Sequence, residues 1–146
     1  MTEKDDFALQ DFLPFLLNRA AEESSLEFQG QYRDRYGMLR TEWRVLFHLG
    51  IYGSMTAKDI GVRAKIHKTK ISRAVAKLTE RRFVVRNRDE KDRRAEHLSL
   101  TPAGEAAYRD LQSVAKDYDA KLTSQFSDDE AETLRRLLKK LSGMEV

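Results

Sequence analysis

The sequence predicts a mainly α fold carrying a small β-wing, and three observations predict it. Most of the chain repeats apolar residues at helical spacing, with cap-forming residues at the breaks. From Thr56 to Thr101 the pattern changes to a short helix, a tight turn, a second helix and two short strands around a charged tip. The charge is also unevenly spread. Between Met55 and Ala95, fourteen Lys/Arg stand against five Asp/Glu, a net of +9. The other residues hold thirteen basic and nineteen acidic groups, a net of −6, so the overall +3 conceals a basic middle between acidic ends. Element order and charge together describe a winged helix-turn-helix with long helices on either side. Such a module sets one helix into a DNA major groove.

A chain of 146 residues is expected to form one domain, or one compact unit with functional parts. We divide it into an N-terminal helix (1–40), the basic module (41–101) and C-terminal helices (102–146). Hydrophobic residues make up 40% and charged residues 35%, a balance that suits a soluble, helix-rich protein and not a disordered one. There are no cysteines, which removes disulfide scaffolds, thiolate metal sites and thiol redox switches. The acidic start MTEKDDFALQ lacks the basic and apolar character of a signal peptide, and no run is apolar enough to span a membrane. A cytoplasmic protein is the expectation.

Taken in order, residues Phe7 to Tyr36 carry a helical pattern through Phe12, Phe15, Leu16, Arg19, Ala20, Leu26 and Tyr32. Asp11 is the expected N-cap, with Pro14 in the first turn. The alternative is an earlier start and a bend at Pro14. Gly37 is the expected stop. So long a terminal helix has more apolar surface than a small domain needs, so part of it should face a partner. Thr41 is the expected cap of a second helix, closed between Gly50 and Gly53 and made central by Trp43, Leu46, Phe47 and Leu49. Thr56 and Asp59 have the spacing of a capping box, Ile60 anchors the short helix they open, and Gly61 to Lys65 should carry the turn.

The helix from His67 to about Arg82 carries the functional reading. Ile71, Ala74, Val75 and Leu78 form one apolar stripe, and Lys68, Thr69, Lys70, Ser72, Arg73, Lys77 and Arg81 occupy the other faces. No acid appears before Glu80. An ordinary solvated helix mixes signs, because Glu–Lys pairs one turn apart support it. A face made almost wholly of donors suits phosphates and guanine edges. Phe83 to Val85 and Ala95 to Leu100 have strand composition, with RNRDEKDRR between them as a hairpin tip. Such a tip can lay arginines along a narrow minor groove. Asp92 stands two residues before Arg94, close enough to orient its guanidinium. Thr101-Pro102 opens a helix with a stripe through Tyr108, Leu111, Ala115, Tyr118 and Leu122. Ser127 to Glu130 is a capping box for the last helix, whose seam is Leu134, Leu137, Leu138 and Leu141.

With these residues in place, DRRAEHLSLTPAG at Asp92 to Gly104 resembles the D-x-R…L-x-LT-x-x-G signature of the MarR family of bacterial transcription regulators. KISRAVAKL at Lys70 to Leu78 is similar to that family's recognition helix, TEWRVLFHLG at Thr41 to Gly50 to its second helix, and FLPFLLNRA at Phe12 to Ala20 to its opening helix in one subgroup. The resemblance covers nearly the whole chain. It implies a triangular homodimer intertwined through the first helix and the last two, bound to double-stranded DNA at a pseudo-palindromic operator. By position it places Lys68, Thr69, Lys70, Ser72 and Arg73 at the major groove and Arg94, braced by Asp92, at the minor groove. Lys77 on the same helix, with Arg86, Arg88, Lys91 and Arg93 in the wing, completes the candidate DNA contacts. His67 departs from the family, which often has an Asp cap there. A contact to phosphate or base and a poor cap are both open readings.

The resemblance also implies a repressor released by a small aromatic acid or phenol. Phe15, Arg19, Trp43, Phe47 and His48 are the candidate effector-binding residues. For the three aromatics, ordinary core packing is the preferred reading. Arg19 and His48 would supply the cation or donor that a carboxylate needs. The lack of cysteine excludes the peroxide sensing used by some members. No cofactor or metal is expected, since His48, His67 and His97 sit on different elements without a ligand spacing. No nucleophile or phosphate-binding motif points to an enzyme. The competing class is a winged-helix protein-interaction module, which the basic helix face argues against.

Overall fold

A 3-10 turn, Leu9–Asp11, leads into α1, Leu13–Tyr36, so the helix begins after Asp11 and not at it. Phe12 occupies the N-cap position without a side-chain bond, and Pro14 lies in the first turn, where no N–H is required. The helix stops at Gly37, whose left-handed φ of 64° lets its N–H and that of Met38 return to Arg33 and Tyr32 carbonyls. In the second helix, α2 (Arg40–Tyr52), Thr41 lies inside the first turn. Leu39 holds the N-cap position expected of Thr41, and Glu42 Oε2 reaches back to accept its N–H at 2.9 Å. Gly53 closes α2.

The structure, a computed structural model, describes residues 6–88, 91 and 95–144. They form two compact units, Met1–Gln112 and Ser113–Val146. In the first unit a two-residue strand β1, Met55–Thr56, precedes α3, Ala57–Ala64. Thr56 Oγ1 accepts the Asp59 N–H at 3.1 Å, as its spacing predicts. The helix then continues through the expected turn residues to Ala64, and left-handed Lys65 closes it. α4, Lys68–Glu80, follows, then β2, Val84–Arg88, and β3, Glu96–Leu100. The strands form one antiparallel sheet in the order β1-β3-β2, with Met55 opposite Leu98 and Val84 opposite Leu100. Two residues are too few for the alternation that marks a strand, so β1 has no sequence signal. Met38, Val45, Leu46, Ile60, Ile71, Leu78, Leu98 and Leu111 are all but inaccessible and make the core between α2, α3, α4 and the sheet.

α5, Pro102–Thr123, starts as expected: Thr101 Oγ1 accepts the Gly104 N–H at 3.0 Å and donates to the Arg82 carbonyl at 2.6 Å. Gly104 cannot be replaced without rearrangement, because a Cβ there would collide with the Phe83 carbonyl oxygen. This gives a steric reason for the glycine that closes the L-x-LT-x-x-G pattern. In the second unit, α6, Asp128–Leu141, opens with a full capping box: Ser127 Oγ accepts the Glu130 N–H at 3.1 Å and Glu130 accepts the Ser127 N–H at 3.0 Å. That bond holds the Glu130 carboxyl below its usual range. Among the described residues no helix is long and apolar enough to cross a membrane.

Candidate nucleic-acid interface

The sequence stripe of α4 settles in the structure as the periodicity requires. Ile71, Ala74, Val75 and Leu78 are buried, and His67, Lys68, Thr69, Lys70, Ser72, Arg73 and Lys77 are exposed. The inner face packs on α2 and α3, which fixes the helix while leaving its donors outside. Among the described residues, no carboxylate pairs with Lys68, Lys70, Arg73 or Lys77. Lys70, Arg73 and Lys77 share one face of the helix and Lys68 flanks it on the α3 side, four cations without a carboxylate partner whose positive field favours polyanions. His67 resolves into a cap: its Nδ1 accepts the Thr69 N–H at 3.2 Å. A neutral imidazole with a lone pair on Nδ1 can do this; an imidazolium cannot. The structure thus gives His67 a structural task at the helix start.

The wing is a two-stranded ribbon whose register places Arg86 opposite Leu98 and Arg88 opposite Glu96. Arg86 pairs diagonally with Glu96 at 3.5 Å, so its charge is partly neutralised; Arg86, Arg88 and Lys91 are all exposed. Asp92, Arg93 and Arg94 lie outside the described residues. On the opposite face of the ribbon Asn87 donates to Ser99 Oγ at 3.2 Å.

The expected effector residues are distributed differently. Trp43 and Phe47, on α2, join a run of edge-on rings: Phe28 to Trp43 at 5.2 Å, Trp43 to Phe47 at 5.0 Å and Phe47 to Tyr108 at 5.3 Å. Tyr32 lies within 5.8 Å of Trp43. Sequence reasoning missed Phe28, which the same helical period through Tyr32 could have found. His48 is tied within its own helix, Nδ1 lying 2.6 Å from the Arg44 carbonyl, which leaves Nε2 as the ring nitrogen that can meet a ligand. Phe15 is half-buried and Arg19 exposed, and they precede Phe28 on α1 by roughly 3.6 and 2.5 turns. The structure thus brings Trp43 and Phe47 together and leaves Phe15 and Arg19 apart from their ring cluster.

Two junctions had no sequence signal. Arg35 reaches both carboxylate oxygens of Asp110 at 2.9 Å, and the Tyr36 hydroxyl donates to Asp110 at 2.6 Å. Burial, helped by that bond, pushes the Tyr36 phenol up to about 12. The Tyr36 bond and then Arg35 hold Asp110 below its usual range. Arg81, counted by sequence among the donors of α4, instead donates to the carbonyls of Tyr36, at 2.9 Å, and Gly37 at the end of α1.

Residues 36–95, from the last turn of α1 through the wing, match the sequence profile of the MarR family. The match covers the winged-helix part of the chain, and the comparisons that follow show how far the likeness extends around it. A MarR/EmrR family transcriptional regulator from Acinetobacter sp. ADP1 superposes with a TM-score of 0.84 at 26% identity, over 94% of this chain and 96% of that one. The HTH-type transcriptional regulator YwoH of Bacillus subtilis is 26% identical over 71% of this chain and 75% of its own length. The homoprotocatechuate degradative operon repressor of Escherichia coli is 23% identical over 85% of this chain and 84% of its own length. The likeness thus extends beyond the matched residues into the flanking helices. These relatives are transcription regulators and not enzymes. The winged-helix part of this chain is thus similar to that of MarR-type transcription regulators.

Proposed function

We propose that two copies of this chain form a homodimer that grips a pseudo-palindromic operator, each through α4, and represses transcription until a small aromatic acid releases it. The observation that carries this reading is the exposed side of α4, which carries no acid before Glu80 and holds four cations without a carboxylate partner among the described residues. His67, Lys68, Thr69, Lys70, Ser72, Arg73 and Lys77 would meet the major groove. Arg86, Arg88, Lys91 and the tip residues Asp92, Arg93 and Arg94 would follow the adjacent backbone or minor groove.

The division into helices 1–40, module 41–101 and helices 102–146 supports the same arrangement. Leu134, Leu137, Leu138 and Leu141 on α6 are exposed, as are Phe12, Leu13 and Leu16 on and before α1. Contiguous exposed apolar surface of this kind marks an interface, and a second copy covers both faces in this reading. The effector assignment draws on the ring cluster around Trp43 and on the relative named for an aromatic-acid operon. Arg19 or His48 would receive the carboxylate.

Selection of duplexes from a random pool by the full-length protein tests the DNA reading directly. An enriched two-fold-related motif is the expected result, and no enrichment would contradict it. Trp43 is the sole tryptophan, so its fluorescence reports on the effector cluster. Quenching by some member of a panel of benzoic and phenylacetic acids, with release of the selected duplex, is expected. A panel without any such member would remove the effector from the account.

A further inference from the structure

Arg81 belongs to the basic stretch by sequence and to α1 by contact. It is the C-cap residue of α4, its own N–H returning to the Lys77 carbonyl, while its side chain caps the end of another helix. The C-termini of α1 and α4 therefore meet. Both carry partial negative charge from unsatisfied carbonyls, and the guanidinium answers those of α1. Gly37 makes the seat possible in two ways. Its left-handed φ of 64° turns the chain, and a Cβ there would lie 2.6 Å from Arg81 Nη1. The residues that follow are fastened too. Phe83 stands edge-on to Tyr36 at 5.9 Å, and the Arg82 carbonyl accepts the Thr101 hydroxyl. The chain uses the same device elsewhere, since Arg44 on α2 donates to the Ala64 carbonyl at the end of α3.

We propose that Arg81 is a positioning residue for DNA reading: it fastens the end of α4 to α1 and so sets the angle of α4 in the groove, without itself contacting phosphate. The inference rests on the assignment of α4 as the reading helix. A helix of 13 residues is roughly 20 Å long. Pivoting it by about 5° at the fastened end moves Lys68 and Thr69 by roughly 2 Å, beyond the tolerance of a base-edge hydrogen bond. Non-specific binding tolerates that shift, because phosphates are spaced regularly and carry no sequence register.

The test uses the full-length protein, a duplex enriched by the wild type from a random pool, and a scrambled duplex of the same length. Arg81→Ala is expected to lose roughly tenfold in affinity for the enriched duplex, the size of one misplaced base contact, and little for the scrambled one. A change in the ratio of the two affinities is a readout that partial unfolding or loss of a phosphate contact does not produce. Equal losses on both duplexes, or no loss on the enriched one, would overturn the proposal. If Arg81→Ala fails to fold by circular dichroism, Arg81→Lys keeps the charge but not the reach of the guanidinium. It is expected to lower the same ratio by less, and an unchanged ratio would overturn the proposal. A wild type that prefers neither duplex would remove the reading-helix assignment itself, separately from the role of Arg81.

Discussion

α4 and α6 are similar in length and both amphipathic, yet their apolar faces meet different fates. Ile71 and Leu78 on α4 are at most 1% exposed, whereas Leu134, Leu137, Leu138 and Leu141 on α6 are 39–60% exposed. The polar faces differ as well: that of α4 gathers Lys68, Lys70, Arg73 and Lys77, and that of α6 begins with Asp128, Asp129 and Glu130 and ends with Lys139 and Lys140. α6 thus complements its own dipole, whereas α4 starts with lysines against its positive end. The difference teaches that α4 buries its apolar face in the core and leaves its cations exposed, whereas α6 leaves its apolar face exposed and uses its charges on its own dipole.

The largest effect that tests this contrast is on folding. Leu78→Ala is expected to destabilise the protein by about 2–5 kcal/mol in urea titration, since it opens a cavity in a closed core. Leu137→Ala should cost little in the isolated protomer and appear as dissociation that depends on protein concentration. Equal, concentration-independent losses would erase the distinction. Next in size, Leu137→Asp with Leu138→Asp is expected to yield a folded monomer in sedimentation velocity, and a dimer that survives both would remove α6 from the interface. Arg73→Ala is expected to weaken binding of a selected duplex by about 1–3 kcal/mol with unchanged thermal stability. Ser127→Ala should cost about 1 kcal/mol by loss of the α6 cap.

The first compact unit was largely legible, because its signals are local. Thr56 and Thr101 cap where their side chains stand three residues before an unsatisfied N–H, as Ser127 does in the second unit, and Gly37 stops α1 by its left-handed conformation. The face of α4 followed from period alone. A misplaced boundary arose where the helix starts without a polar cap side chain: Leu39 holds the N-cap position and Glu42 reaches back to its N–H. The junction of Arg35, Tyr36 and Asp110 and the seat of Arg81 depend on residues more than 40 positions apart, and no spacing rule reports such pairings. In the ring cluster, helical period found Trp43, Phe47 and Tyr108 and could have found Phe28, while the meeting of these rings became visible only by proximity.

The smallest effect concerns the anchoring of α1 to α5. Asp110 titrates below its unfolded value of about 3.9, so its contribution is present above that pH and is lost as pH falls through the lower folded value. Tyr36 is raised to about 12, so its contribution is intact below about 10 and lost as pH rises toward 12. Asp110→Asn is expected to flatten the acid limb of a stability–pH profile slightly, the pair being well exposed. An unchanged acid limb would show that the junction contributes no measurable linkage.

The central claim, that the uncompensated cations of α4 meet DNA phosphates and base edges, is tested most directly by the salt dependence of duplex binding. A plot of log affinity against log salt for the full-length protein should fall steeply, by about 0.9 per phosphate neutralised. Lys70→Ala should reduce that slope by about one phosphate. A slope near zero, or one that Lys70→Ala leaves unchanged along with the affinity, would contradict the account.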